Sequence, residues 1–145
     1  MKKTYVPLHV HTSFSMLDSM AKIPELVSKA KKLGIKSLAI TDHGGVYGHV
    51  KFYKECIKQG IKPILGIEAY FCENASEKER KSDHLILLAE NNKGLQNLYK
   101  IITWANVPIE KGGKFYYRAR IDFDLLKKYN EGLICLTACI GGTVP

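Results

Sequence analysis

Short apolar runs alternate along this chain with stretches whose apolar residues recur at helical spacing. That alternation most narrows the folds open to it. Tyr5 to His11 reads as a first strand. Ile23, Leu26, Val27, Ala30 and Leu33 then mark a helix, with Pro24 in its first turn and Gly34 as its stop. Ser37 to Thr41 is a short buried strand. A second helix runs from Val46 to Gln59, with Val46, Val50, Tyr53 and Ile57 as its apolar face and Gly60 as its stop. Ile64 to Phe71 is a third strand, Glu73 to Asp83 a polar, solvent-exposed loop, and His84 to Ala89 a fourth strand. Leu95, Leu98, Tyr99, Ile102 and Ala105 give a third helix. A short helix from Asp122 to Tyr129, capped by Asp122, precedes a fifth strand from Leu133 to Thr137. Strands alternating with helices predict parallel pairing and an α/β layer or barrel. The turn-rich end, Gly141 to Pro145, predicts a single domain over residues 1–145 that stops before its architecture closes.

No apolar run is long enough to cross a membrane, and Met1 to Pro7 lacks the apolar segment of a secretory signal. Cys56, Cys72, Cys135 and Cys139 show neither zinc-finger spacing nor disulfide-scaffold density, which predicts a reduced, cytoplasmic protein without a membrane partner. The net charge of +8 suits a polyanionic partner, nucleic acid or a phosphorylated substrate, and equally a lysine-rich solvated surface.

The residues able to carry chemistry fall at strand ends or just after them. His9 and His11 are two apart on a strand, so both imidazoles project to one face. Asp18 lies in the following loop, where it reads as a ligand or as a plain loop carboxylate. Thr41-Asp42-His43 closes the second strand. Asp42, beside Gly44, is read as the cap of the turn into the second helix. Glu68 interrupts an apolar strand, and an ionised carboxylate there needs a cation or donors. Cys139 alone reads as a small apolar residue, and His49, within the second helix, as non-functional. His84 opens an apolar run, and spacing does not join it to the others. Three histidines and two carboxylates near one sheet edge match the mixed nitrogen and oxygen chemistry of a zinc, manganese or iron site. Arg118 and Arg120, near Tyr116, read either as phosphate contacts or as a solvated loop.

His9-Val10-His11-Thr12, Thr41-Asp42-His43-Gly44, Gly66-Ile67-Glu68 and His84 to Ala89 resemble successive motifs of the PHP (polymerase and histidinol phosphatase) domain. The stretch from Leu8 to Asp18, Lys51-Phe52-Tyr53, Gly60 to Gly66, Asn97-Leu98, Arg120-Ile121-Asp122 and Glu131 to Ile134 refine the resemblance to the N-terminal part of bacterial DNA polymerase III alpha subunits. It implies a distorted seven-stranded β/α barrel, incomplete here, and a site for up to three divalent metal ions. The matching ligand positions are His9, His11, Asp18, His43, Glu68, His84 and Cys139, with His9, His11, Asp18, His43 and Glu68 as the catalytic set. Two further family ligands, an Asp and a His, belong to later strands. The resemblance also implies DNA replication within a DNA-directed DNA polymerase (a nucleotidyltransferase), with DNA and other replisome subunits as partners. The implied reaction is metal-dependent phosphoester hydrolysis, as a 3′–5′ exonuclease in the parent. Clustered metals lower the pKa of a water they bind to roughly 7. Two other readings stand beside it: a structural or interaction module with a vestigial site, and a stand-alone phosphatase of histidinol phosphate type.

The donor atoms of His9, His11, His43 and Glu68 should then lie within about 5 Å of one another. A barrel cut before its last strands also leaves its first strand an open edge, so the 145-residue chain is expected to self-associate in sedimentation. A stable monomer carrying a full set of tightly bound metals would overturn the reading of an incomplete domain.

Overall fold

The computed structural model describes residues 5–138. In chain order the elements are α1 (Ile23–Lys32), β1 (Ser37–Ile40), α2 (His49–Gln59), β2 (Lys62–Phe71), β3 (Asp83–Ala89), α3 (Asn92–Asn106), a 3-10 turn (Ile109–Lys111), β4 (Arg120–Ile121), α4 (Phe123–Tyr129) and β5 (Leu133–Leu136). No helix among the described residues is long and apolar enough to cross a membrane.

The ten-residue β2 is the centre of the sheet. Its first half pairs in parallel with β1, Ser37 to Ile40 against Lys62 to Leu65. Its second half pairs antiparallel with β3, and Tyr70 and Phe71 also meet β4 in parallel. β5 adds to β3 antiparallel, giving the order β1-β2-β3-β5. The sheet is therefore mixed, where the alternation of elements predicted parallel pairing throughout. The reason is local. Residues 72–82 between β2 and β3 contain no helix, so no crossover returns the chain to the same end, and it reverses. The sheet is open, and the described residues do not close it into the barrel implied by the resemblance.

Strand alternation sorts the side chains onto two faces. Ile67, Ala69 and Phe71 of β2 and Leu85 and Leu87 of β3 pack with Leu98, Ile101, Ile102 and Ala105 of α3 and Leu125 of α4. Leu38 and Ile40 of β1 continue this face, against Ile23, Val27 and Ala30 of α1 and Phe52 and Cys56 of α2. All four helices thus cover one face. On the other, Ala39, Ile86 and Leu88 form a small apolar cluster, and Glu68, Tyr70 and His84 lie beyond it.

Two expected elements differ. The segment expected as a first strand is extended alongside β1 but forms no ladder. Ala39 and Thr41 donate to the carbonyls of Pro7 and Val10 at 3.0 and 2.9 Å, while Pro7 has no N–H to return and the Val10 N–H goes to Thr41 Oγ1 at 2.8 Å. In α2 the buried stripe is His49, Phe52 and Cys56. Val50, Tyr53 and Ile57, expected as its apolar face with Val46, stay exposed. The two stripes are offset by one residue, so apolar spacing alone does not choose between them. The helix also starts one turn later than expected, and Gly60 ends it at φ 73°, a conformation that favours glycine.

His49 is 2% exposed and its Nε2–H donates to the Gly66 carbonyl at 2.9 Å. Burial pushes this imidazole below its ordinary value of 6.5, outweighing the opposing pull of that carbonyl. Below pH 6.5 the unfolded chain binds a proton that folded His49 refuses. The contribution of His49 is thus complete above that pH and is lost as pH falls toward the depressed folded value. Urea midpoints measured from pH 7.5 to 5 should fall less steeply for His49→Gln than for the native chain. Identical slopes would show that His49 protonates freely in the fold.

Candidate metal centre

The site forms where β2 changes partner. Past Leu65 it has left β1, and before Tyr70 it has not yet met β4. Between them His43 bridges to Glu68: Gly44 N–H donates to the Glu68 carbonyl at 2.9 Å and Glu68 N–H to the Asp42 carbonyl at 3.1 Å. The backbone thereby sets His43 beside Glu68. Antiparallel register brings His84 opposite Tyr70, two residues along on the same face. The N-terminal segment adds His9 and His11.

Glu68 is 3% exposed, and its carboxylate is surrounded by imidazoles. His9 Nε2 lies 2.5 Å from Oε2, His11 Nε2 2.9 Å from Oε2, His84 Nδ1 2.8 Å from Oε1 and His43 Nδ1 3.8 Å from Oε1. Asp18, half exposed at the rim, reaches His43 Nε2 at 3.3 Å and His11 Nδ1 at 3.8 Å. Three overlapping groups could each hold a metal ion: His9, His11 and Glu68; His11, Asp18 and His43; and His43, Glu68 and His84, the donor atoms within each lying inside 4.8 Å of one another. The structure thus brings together His9, His11, Asp18, His43, Glu68 and His84. Cys139 lies outside the described residues.

The proton arrangement shows that these residues fit a cation. Asp42 is buried and accepts from Thr12 N–H at 2.6 Å, Thr12 Oγ1–H at 2.7 Å and Ser15 Oγ–H at 2.6 Å. The Ser15 hydroxyl has one proton, given to Asp42, so its oxygen accepts from His11 Nδ1–H at 3.1 Å. That fixes the His11 tautomer with a lone pair on Nε2. Burial, with the neighbouring His43, holds the His11 pKa below its ordinary value, so the ring is neutral near pH 7. The Nε2 lone pair then faces a Glu68 carboxylate oxygen at 2.9 Å, with His9 Nε2 at 2.9 Å from the one and 2.5 Å from the other, a cluster of acceptor atoms that a shared proton or a cation would bridge. His43 Nδ1 is buried and has no hydrogen-bond partner among the described residues.

Asp42 is therefore not the cap of α2. The N-cap of that helix is Gly48, with no side-chain cap bond, and Asp42 instead ties the His11 loop to the end of β1. Ser15 and Thr12, which sequence reading passed over, are its partners. Tyr70 was also passed over. Its ring stacks on His43 at 5.9 Å and lies 5.5 Å from His84. Gly44 makes room for it, because a Cβ there would come 2.9 Å from the ring. Arg118 lies at the site, its guanidinium 4.6 Å over the Tyr70 ring. Arg120 does not. It is fully buried and donates to the carbonyls of Ala75, Glu77 and Glu79 at 2.9, 2.8 and 2.8 Å, so it pins the loop before β3 in place of a phosphate.

The sequence profile of the PHP domain matches residues 7–145. DNA polymerase III subunit alpha of Borreliella burgdorferi is 48% identical over 99% of this chain and 13% of its own length. The subunits of Aquifex aeolicus and Helicobacter pylori are 49% and 42% identical, each over 98% of this chain and over 13% and 12% of their own lengths. The chain thus spans about an eighth of these relatives, and the match is to their N-terminal region. Among solved structures, a protein from Bifidobacterium adolescentis named as a metal-dependent phosphoesterase superposes with a TM-score of 0.53 at 24% identity, over 69% of this chain and 32% of its own. An amidohydrolase from Chromobacterium violaceum gives 0.52 at 21%, over 68% and 32%. At these identities the likeness is one of fold.

Replacing Ser15 by Ala frees the His11 tautomer while leaving every donor in place. Metal affinity should fall roughly 10–100-fold, the range for lost outer-shell partners. Titration calorimetry with Mn²⁺ or Zn²⁺ measures it, with circular dichroism to check the fold. Unchanged affinity in a folded variant would show that Ser15 does not orient His11.

Proposed function

The chain belongs to the PHP domain family, and on that premise we propose that its histidine–carboxylate cluster binds divalent metal ions and hydrolyses phosphoesters. The observation that carries this reading is the pair of facing acceptors, His11 Nε2 and Glu68 Oε2 at 2.9 Å, inside a shell of three further imidazoles. His9, His11, Asp18, His43, Glu68 and His84 would hold the ions, with Glu68 shared between them and Cys139 joining from beyond the described residues. Zinc, manganese and iron all accept this donor set. Bound there, such ions supply Lewis acidity toward a phosphoryl oxygen and acidify a water.

The protein's own residues do the rest. The Asp42–Ser15–His11 chain fixes the tautomer of one imidazole and aims it. The bridge at Glu68 keeps a second, His43, in register. Tyr70 closes one side of the cluster, and the Arg118 guanidinium over it adds fixed positive charge where a phosphodiester would enter. The polymerase relatives suggest the setting: the N-terminal domain of a DNA polymerase III alpha subunit, acting in DNA replication with DNA and other replisome subunits as partners, and removing nucleotides as a 3′–5′ exonuclease.

Elemental analysis of protein purified without chelator should find transition metal. His11→Ala should lower both metal content and phosphodiesterase activity at least tenfold, while circular dichroism stays native. Undiminished activity in metal-depleted His11→Ala protein would sink the reading, and a native chain with neither metal nor activity would leave the domain a structural module.

A further inference from the structure

A row of alternating rings and cations leads away from the cluster. Tyr70 begins it, stacked on His43. The Arg118 guanidinium lies 4.6 Å from the Tyr70 ring centre and 5.4 Å from that of Tyr117. On Tyr117 sits a second guanidinium, that of Arg80, at 4.9 Å. Arg80 comes from the loop before β3 and Arg118 from the segment before β4, so two separate parts of the chain converge on this one ring.

Tyr117 is placed unusually. Its φ of 64° lies in the left-handed region that a bulky residue rarely adopts. Paired hydrogen bonds between Tyr116 and Arg118, at 3.3 and 2.7 Å, hold it there at the tip of a tight turn. The residue is 62% exposed. It is held out to solvent by backbone geometry, steadied by two cations, one guanidinium away from the cluster wall.

The chemistry that recognises such a surface is a flat π system joined to phosphate. Stacking on an aromatic ring with arginine alongside is how proteins hold unpaired bases, whatever their sequence. We propose that Tyr117, with Arg80 and Arg118, forms a stacking subsite for an unpaired base next to the phosphodiester at the cluster, which makes the substrate class single-stranded nucleic acid. The inference rests on the phosphoesterase reading for its reaction, but the binding subsite is testable apart from it. A base held at Tyr117 leaves its phosphate near Arg118, whose guanidinium in turn lies over Tyr70 at the cluster wall. A small phosphate monoester without a base gains nothing from the ring.

The test compares two fluorescent ligands on the 145-residue chain with Mn²⁺, by anisotropy: a short thymidine oligonucleotide, and an abasic deoxyribose phosphate chain of the same length. The native chain should bind the first about tenfold more tightly, a difference in the range of one stacked base. Tyr117→Leu should abolish the preference and Tyr117→Phe should keep it. Arg80→Ala, on a different loop, should reduce it and serves as the second probe if Tyr117→Leu melts early. Equal affinity of the native chain for both ligands, or a preference that survives Tyr117→Leu, would overturn the subsite. Hydrolysis of a thymidine oligonucleotide followed in the same samples separates the two readings. A Tyr117-dependent preference without hydrolysis supports the subsite and rejects the phosphoesterase reading; hydrolysis without the preference does the reverse.

Discussion

Glu68 is a carboxylate in the middle of the central strand, 3% exposed, where ionised groups are costly by several kcal/mol unless matched. The backbone cannot match it, since its own N–H and carbonyl are used in the bridge to residues 42 and 44. Side chains must therefore do so: four imidazoles from three separate parts of the chain surround it, with His9 and His84 at hydrogen-bond distance, while His11 turns a lone pair toward it and His43 stands 3.8 Å away. The arrangement of the N-terminal segment, the end of β1 and the start of β3 follows from this requirement as much as from apolar packing. Each brings a histidine, and each is held by polar contacts near the cluster in addition to the core.

The apolar core makes that possible by staying on the other face. Odd-numbered residues of β2 and β3 pack against the helices, and Glu68, Tyr70 and His84 fall on the opposite side by alternation alone. A one-residue slip of β3 against β2 would turn Leu85 or Leu87 toward the cluster and His84 into the apolar layer. Packing and chemistry thus enforce the same register. The second buried carboxylate, Asp42, plays a different part. Its three donors come from Thr12 and Ser15, so it is satisfied as an anion without histidine, and it fixes the direction of His11 from behind.

Much of this was legible in the sequence, and the failures share a cause. Helix and strand periods locate β2, β3, α3 and the cap at Asp122, whose side chain accepts from Leu125 N–H at 3.0 Å. The His-Val-His spacing and the carboxylate interrupting an apolar run point to the cluster. Period says nothing of strand direction, so His84 could not be joined to Glu68 from spacing; only the antiparallel register puts it there. Asp42 lies seven residues before α2, and local sequence cannot distinguish a cap of the intervening turn from a residue whose partner is 30 positions away. Arg118 and Arg120 are two apart in one basic stretch. One faces the cluster and the other is buried against three carbonyls, a difference set by the loop at residues 75–79. Ser15 and Tyr70 carry no signal beyond their identity, because their roles exist only once His11 and His43 are in place.

The residues of the cluster are supported in two different ways, and the division has physical content. Glu68, His43 and His84 sit on or beside paired strands. Asp18 and Arg118 sit on turns, and each directly follows a non-glycine residue at positive φ: Leu17 at 67° and Tyr117 at 64°. Such conformations cost about 1–3 kcal/mol each and persist only where the surroundings over-determine them. Around Leu17 the constraint is visible: Asp18 and Ser19 N–H both donate to the Ser15 carbonyl, at 3.1 and 3.0 Å, and Ser19 Oγ–H donates to the His11 carbonyl at 3.0 Å. The bonds that strain Leu17 thus run to the residue that orients His11 and to His11 itself. Leu17 is fully exposed and gains no burial in return. Relaxing its backbone would turn Asp18 away from His43 and loosen the Ser15 carbonyl together. The strain is accordingly tied to the aim of the rim carboxylate, and the strand-borne half of the cluster holds the reference against which that aim is set.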